Sequence, residues 1–268
     1  MSQIVRDYYD NHAEGEWERL NDPYSMIEYM STLHLFHKYL PSTGHICDIG
    51  SGPGKYSIEL LKRGYQVSLF EISQQELDLA SNKINELGLK AEAYICEDAI
   101  HLDVLNAATY DAALVMGPLY HLHDEQDRAN VIRNTASIVK KQGIAIFTFI
   151  NTWGALKAGV TEFSDTYKDI RNVYEYLETQ KLDENRGFTE CYFSTPISAL
   201  EEIKNNGFDI ISYAGVEGFL AGMRREVCRL YRDDRRVYDN LVKVASETCE
   251  LPQYRDATEH LLIVARKK

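Results

Sequence analysis

"ICDIGSGPGKY", residues 46–56, sets three glycines on alternate positions behind an aspartate: Asp48, then Gly50, Gly52 and Gly54. Glycine costs backbone entropy, so it is used where φ must be positive or where something must approach the main chain closely. Apolar residues lead into the stretch, and a helical pattern, "GKYSIELLKR", leads out of it. The segment reads as a buried strand, a tight glycine turn and a helix. In a doubly wound α/β sheet such a turn is where a nucleotide-like ligand rests on the backbone.

The chain around this turn alternates strands and helices. "YQVSLFE" (65–71), "AEAYIC" (91–96), "YDAALVMG" (110–117) and "GIAIFTFI" (143–150) read as strands. "SQQELDLASNKINEL" (73–87) reads as a helix with a capping box, Ser73 as N-cap and Glu76 three residues on, and Gly88 as its stop. "DEQDRANVIRNTASIVKK" (124–141) is a further helix. Repeated units of this length imply a parallel sheet with right-handed crossovers and helices on both faces. After residue 150 the rhythm breaks. Residues 151–195 are polar and carry Tyr167, Tyr174, Tyr176 and Tyr192. A helix at 195–208, a strand at 209–218, a charged helical stretch to 256 and a last strand, "EHLLIVARK", follow. The expectation is one domain over 1–268, with a core at 41–150, 196–216 and 258–268. Three cap segments are expected at 1–40, 151–195 and 217–257.

Composition narrows the partners. Hydrophobic residues make up 44% and charged residues 26% of the 268, ordinary values for a globular chain. No apolar run reaches the roughly 18 residues of a membrane span, and the polar N-terminus lacks a signal-peptide core, so a cytoplasmic protein without a membrane partner is expected. Five widely spaced cysteines form no C-x-x-C pair, which argues against disulfides and a zinc site. No H-x-x-H, H-E-x-x-H or carboxylate cluster signals a metal. The net charge of −12 gives no general pull toward phosphate backbones, so a small molecule is expected rather than nucleic acid. A homodimer is compatible with this composition.

Three ligand classes compete for the glycine turn. A phosphate-binding P-loop needs G-x-x-x-x-G-K-[ST], but Ile49 stands at its first glycine and Tyr56 at its hydroxyl. A dinucleotide turn needs G-x-G-x-x-G, and Lys55 stands at its third glycine. The pattern present, D-x-G-x-G-x-G, resembles the class I S-adenosylmethionine-dependent methyltransferases, especially the small-molecule enzymes grouped with ubiquinone and menaquinone biosynthesis. The resemblance covers about residues 40–150 well and the C-terminal strands loosely. It implies an α/β doubly wound, mostly parallel seven-stranded sheet, Rossmann-like, with an antiparallel last strand. It implies S-adenosylmethionine on Asp48, Gly50, Ser51, Gly52 and Gly54, with Glu71 and the following Ile72 at the ribose. Asp98 and Ala99 would meet the adenine, and Met116 and Gly117 the methionine half. The N-terminal "RDYYDNHAEGEWERL" resembles leaders that fold over the cofactor, with Tyr9 and Trp17 closing the site and Arg19 pairing with the cofactor carboxylate.

Methyl transfer from a sulfonium is an in-line displacement, in which the protein supplies position and a dry site. An alcohol or phenol acceptor usually needs a base as well. "GPLYHLHDE" (117–125) follows the fourth strand, at the edge where such sheets place their chemistry, and offers Tyr120 and His121. His121 is the candidate base; packing or helix capping is its competing role. Two other functions remain open at this level. A nicotinamide-linked oxidoreductase is favoured by Glu71 and opposed by Lys55, and a cofactor-binding module without turnover would carry the same loop.

Overall fold

The computed structural model describes residues 1–162 and 164–268. Its sheet begins with β1 (His45–Ile49), which pairs in parallel with β2 (Gln66–Glu71) on one side and β4 (Tyr110–Val115) on the other. β3 (Ala93–Cys96) lies outside β2, and β5 (Val139–Asn151) lies beyond β4. β9 (His260–Lys267) then runs antiparallel to β5, and β8 (Phe208–Gly215) antiparallel to β9. The main order is therefore β3-β2-β1-β4-β5-β9-β8, with β9 reversed against its neighbours.

Helices cover both faces. Ile46, Val67, Leu69 and Ile146 face α3 (Lys55–Lys62) and α4 (Gln74–Glu86), together with Leu35 and Phe36 of α2 (Ser25–Tyr39). Cys47, Phe70, Ala113 and Phe147 face α5 (Glu125–Ile138) and α8 (Pro196–Asn205) on the other side. Alternate residues of one strand feed different cores, which is why the strands read as continuous apolar runs. All five cysteines are free thiols, with Cys47 in β1 and Cys96 ending β3.

The described residues form nine strands rather than seven. The two extra ones are a short hairpin, β6 (Lys181–Leu182) and β7 (Cys191–Ser194), within the 151–195 segment. β7 pairs with β5 only at Ile150 and Asn151, where β5 runs on past the end of β4. A two-residue strand is below what periodicity can detect. The rest of that segment is α6 (Thr152–Glu162) and α7 (Ile170–Thr179). Residues 224–255 form α9 (Arg224–Asp233), α10 (Arg235–Glu247) and α11 (Pro252–Arg255), with Tyr238, Val242 and Ala245 of α10 packed on Tyr24 and Ile27 at the start of α2. α1 (Gln3–Arg19) lies against α4. Among the described residues no helix is long and apolar enough to cross a membrane.

Candidate active site

The glycine turn joins β1 to α3, and all three of its glycines take positive φ: +72° at Gly50, +52° at Gly52 and +80° at Gly54. Their reasons differ. A Cβ on Gly50 would lie 2.5 Å from Cδ of Pro118, and one on Gly54 would lie 2.9 Å from Cβ of Ala80. Those two glycines let the turn touch the β4 loop and α4. A Cβ on Gly52 would meet only the carboxyl of Glu76, with Oε2 at 3.4 Å. Gly52 alone turns its free side toward a cleft.

Gly50, Ser51, Gly52, Glu71, Ile72, Met116, Gly117, Tyr120, His121, Tyr9 and Arg19 line this cleft. Glu71 ends β2 and is buried. Its Oε2 accepts from the Gly52 amide at 3.0 Å, and its Oε1 accepts from the amides of Ile72 at 2.7 Å and Ser73 at 3.1 Å. Burial raises its pKa against the pull of those three amides. The hydroxyl of Ser51 is buried with no partner.

Five expected cofactor contacts sit elsewhere. Asp48 is buried beneath the turn, where its Oδ2 accepts from Ser57 Oγ at 2.6 Å and burial pushes its carboxyl up to about 7. It ties β1 to α3 and does not line the cleft. Asp98 pairs with the N-terminal ammonium of Met1 and accepts from the Ile100 amide, while Ala99 sits in the core. Trp17 is partly buried against the core, with the ammonium groups of Lys55 and Lys83 5.2 and 5.3 Å from its ring. Asp98 and Trp17 have found partners within the fold, and Asp48 has one for Oδ2 while its Oδ1 is buried without one. Gly54 serves the α3–α4 contact described above.

α1 roofs the cleft. Ser73 Oγ donates to Asp10 at 2.6 Å, and Tyr9 Oη lies 2.8 Å from Nε2 of His121. The other nitrogen of His121, Nδ1, lies 2.9 Å from the carbonyl of Glu190. A carbonyl can only accept, so Nδ1 carries the proton and Nε2 accepts from the tyrosine hydroxyl. Burial lowers the pKa of His121 to about 4. Both nitrogens of the expected base are thus engaged, and the ring stays neutral.

A second cavity of about 430 Å³ opens from the cleft. Tyr9, Glu16, Arg19, Tyr56, Met116 and Tyr120 line both. Beyond them the walls are Tyr8, Tyr24, Tyr167, Tyr176, Phe188 and Phe193, drawn from α1, α2 and the 151–195 cap. One end is polar. His260 begins β9, and its Nδ1 donates to Oε1 of Glu217 at 2.7 Å. Oε2 of Glu217 accepts from the amides of Glu259 at 3.0 Å and His260 at 3.1 Å. Burial lowers the pKa of His260, but Glu28, Glu217 and Glu259 outweigh it and raise the pKa to about 9. The ligand atoms of Glu28, Glu217 and His260 lie within 4.8 Å of one another, a spacing that a metal ion would accept. In the apo geometry Glu28 is paired with Arg19 at 2.9 Å, and Glu217 with His260.

Sequence reasoning missed Glu16, Glu76, Glu28, Glu217 and His260. A His at the first residue of the last strand was visible, because an antiparallel strand begins at the edge where its parallel neighbours end.

The residues at the cleft fit S-adenosylmethionine. Gly52 leaves side-chain space toward the cleft, Glu71 brings a carboxylate to the end of β2, and Oε1 of Glu76 is buried without a partner. This sheet and this cleft have the arrangement of the class I S-adenosylmethionine-dependent methyltransferase fold. A methyltransferase-domain family matches residues 46–143. The tRNA 5-carboxymethoxyuridine methyltransferase of Escherichia coli O157:H7 is 24% identical over 229 residues, 85% of this chain and 81% of that one. The ubiquinone biosynthesis O-methyltransferase of Coxiella burnetii (strain Dugway 5J108-111) is 32% identical over 107 residues, 40% of this chain and 44% of that one. Magnesium protoporphyrin IX methyltransferase from Synechocystis PCC 6803, solved with bound S-adenosylhomocysteine, shares the fold with a TM-score of 0.61 and 16% identity over 99% of each chain.

Proposed function

We propose that the chain transfers the methyl group of S-adenosylmethionine to a small-molecule acceptor held in the 430 Å³ cavity. The carrying observation is that this cavity joins the cofactor cleft through shared walls at Tyr9, Arg19, Met116 and Tyr120. The bound cofactor supplies an electrophilic methyl group on its sulfonium. The chain's own residues position and exclude water. Gly50, Ser51 and Gly52 cradle the nucleoside from one side, Glu71 and Ile72 take its ribose, and Met116 and Gly117 border the amino-acid half. Tyr9, held by His121, closes the roof. Tyrosine walls suit a planar or aromatic body, and the Glu217–His260 end suits an oxygen-bearing group on it. The core is assigned to 41–150, 196–216 and 258–268, with acceptor specificity in the caps.

A nucleic-acid acceptor is the second reading, favoured by the tRNA-modifying relative that matches 85% of this chain. The net charge of −12 weighs against it. The test supplies methyl-labelled S-adenosylmethionine with either a filtered small-metabolite extract or bulk tRNA. Label transferred within the metabolite fraction is expected. Label confined to tRNA would overturn the proposal.

A further inference from the structure

Glu76 stands three residues after the N-cap Ser73, the place from which a Glu side chain normally reaches back to the N-cap amide. Only half of that box forms. Ser73 Oγ accepts from the Glu76 amide at 3.2 Å, but the Ser73 amide is already held by Glu71. The Glu76 carboxyl turns instead into the cofactor cleft, facing Gly52, and is 1% exposed. Its Oε1 has no hydrogen-bond partner. A buried unsatisfied carboxyl costs stability and contributes none, so its reason must lie in something the cleft receives.

We infer that Glu76 is a second carboxyl contact for the ribose hydroxyls of the cofactor, acting beside Glu71 across Gly52. The geometry offers a diol two carboxyl groups instead of one. Glu71 spends lone pairs on three backbone amides, whereas Oε1 of Glu76 is wholly free to bond. The charged groups facing Glu76 are Glu71 from β2, and Asp10, Glu16 and Arg19 from α1. Burial and the three acids raise its pKa to about 10, against the single arginine. At neutral pH it therefore keeps its proton and can both donate to and accept from a hydroxyl.

The inference rests on the cofactor cleft, and its test separates the two. S-adenosylhomocysteine affinity and apo melting temperature are measured for wild type, Glu76→Gln and Glu76→Met. If wild type fails to bind, the cleft assignment itself falls and takes the Glu76 role with it. If Glu76 is a ribose contact, Glu76→Met weakens binding by about ten-fold or more, the loss expected for one strong hydrogen bond. Glu76→Gln, which keeps donor and acceptor, weakens it less. Both variants melt higher than wild type without ligand at pH 8. The same loss must appear with 5′-methylthioadenosine, which has the ribose but no amino-acid half. A variant that melts lower with unchanged affinity, or a penalty that vanishes with 5′-methylthioadenosine, overturns the inference.

Discussion

Two groups of carboxyl side chains occupy the same edge of the sheet and are held in opposite ways. At the cofactor cleft, Glu71 and Glu76 face further acids, and Oε1 of Glu76 has no partner. At the far end of the 430 Å³ cavity, Glu217 satisfies His260 and two backbone amides, and Glu28 pairs with Arg19. The difference shows in protonation. Burial and like charge drive Glu76 up to about 10, while burial of Glu28 is outweighed by Arg19, which holds its carboxyl below the usual range. The first group is an incomplete site that a ligand with hydroxyl donors completes. The second is a finished structural joint between the loop after β8 and the start of β9, which also offers an imidazole to the cavity.

The largest effects should come from the glycine turn, where ligand space and packing space lie side by side. Gly52→Val should abolish S-adenosylhomocysteine binding, because a branched side chain fills the side that faces the cleft. Its φ of +52° adds strain of about 1–2 kcal/mol to the fold. Gly50→Ala, by contrast, drives a methyl group into Pro118 and should lower the melting temperature more than Gly52→Val does. Calorimetric titration and thermal melts on both variants check this. Equal losses of stability would break the distinction between a ligand glycine and a packing glycine.

The same contrast explains what was legible. A cofactor turn is local: strand, glycines and helix are consecutive, so Gly50 and Gly52 were legible in the residues, whereas the acid ending β2 came from the family resemblance. Asp48 carries the same pattern but faces inward, because alternate residues of β1 serve opposite faces and side-chain direction is fixed only by the sheet's packing. Trp17 and Asp98 were matched by position in the chain, and each proved to have a nearer partner, Lys55 and Met1 respectively. Glu76 was visible but looked fully explained by a capping box. The larger cavity was hidden for a different reason. Its polar end joins Glu28, Glu217 and His260 from three distant parts of the chain, and no local period encodes that meeting.

The pH dependence of stability sharpens the comparison next. The Glu76 pKa is raised on folding, so the native state holds a proton that the unfolded chain gives up above about 4.5. Stability then falls as pH climbs from there toward about 10. His260 is raised too, but by attraction. Its contribution is complete below about pH 6.5 and is lost as pH rises through about 9. Both slopes have the same sign and opposite causes, so the variants should part. Glu76→Gln should match wild type near pH 4.5 and melt higher by pH 9. His260→Asn should melt lower than wild type near pH 6 and converge on it by pH 10. Glu217→Ala, which strips the imidazole and two amides of their acceptor, should cost about 3 kcal/mol at pH 7. Melts of the three variants across this range decide the matter. A Glu76→Gln curve lying below wild type at high pH would mean that the carboxyl is satisfied after all.

The smallest effect is expected where the sequence promised the largest. A general base at His121 would make His121→Gln cut turnover by about 10²–10⁴-fold with cofactor affinity intact, and the loss would shrink as pH rises. The structure gives the ring another task. Its Nδ1 proton goes to the Glu190 carbonyl and its Nε2 lone pair to the Tyr9 hydroxyl, so it ties the roof helix α1 to the loop that precedes β7. Its pKa is depressed to about 4, so the folded ring stays neutral while the unfolded ring gains a proton below about 6.5. That contribution is present above pH 6.5 and is lost as pH falls toward 4. Gln can replace one of the two hydrogen bonds but not both, so the variant should lose about 1 kcal/mol of stability. S-adenosylhomocysteine should bind a few-fold more weakly as Tyr9 loosens, since a half-kcal/mol change corresponds to roughly a factor of two. Turnover on any identified acceptor should fall by a similar factor, with no new inflection between pH 5 and 8. A hundred-fold loss of turnover at unchanged affinity, recovering at high pH, would return His121 to the chemistry and make Tyr9 its proton relay rather than its ward.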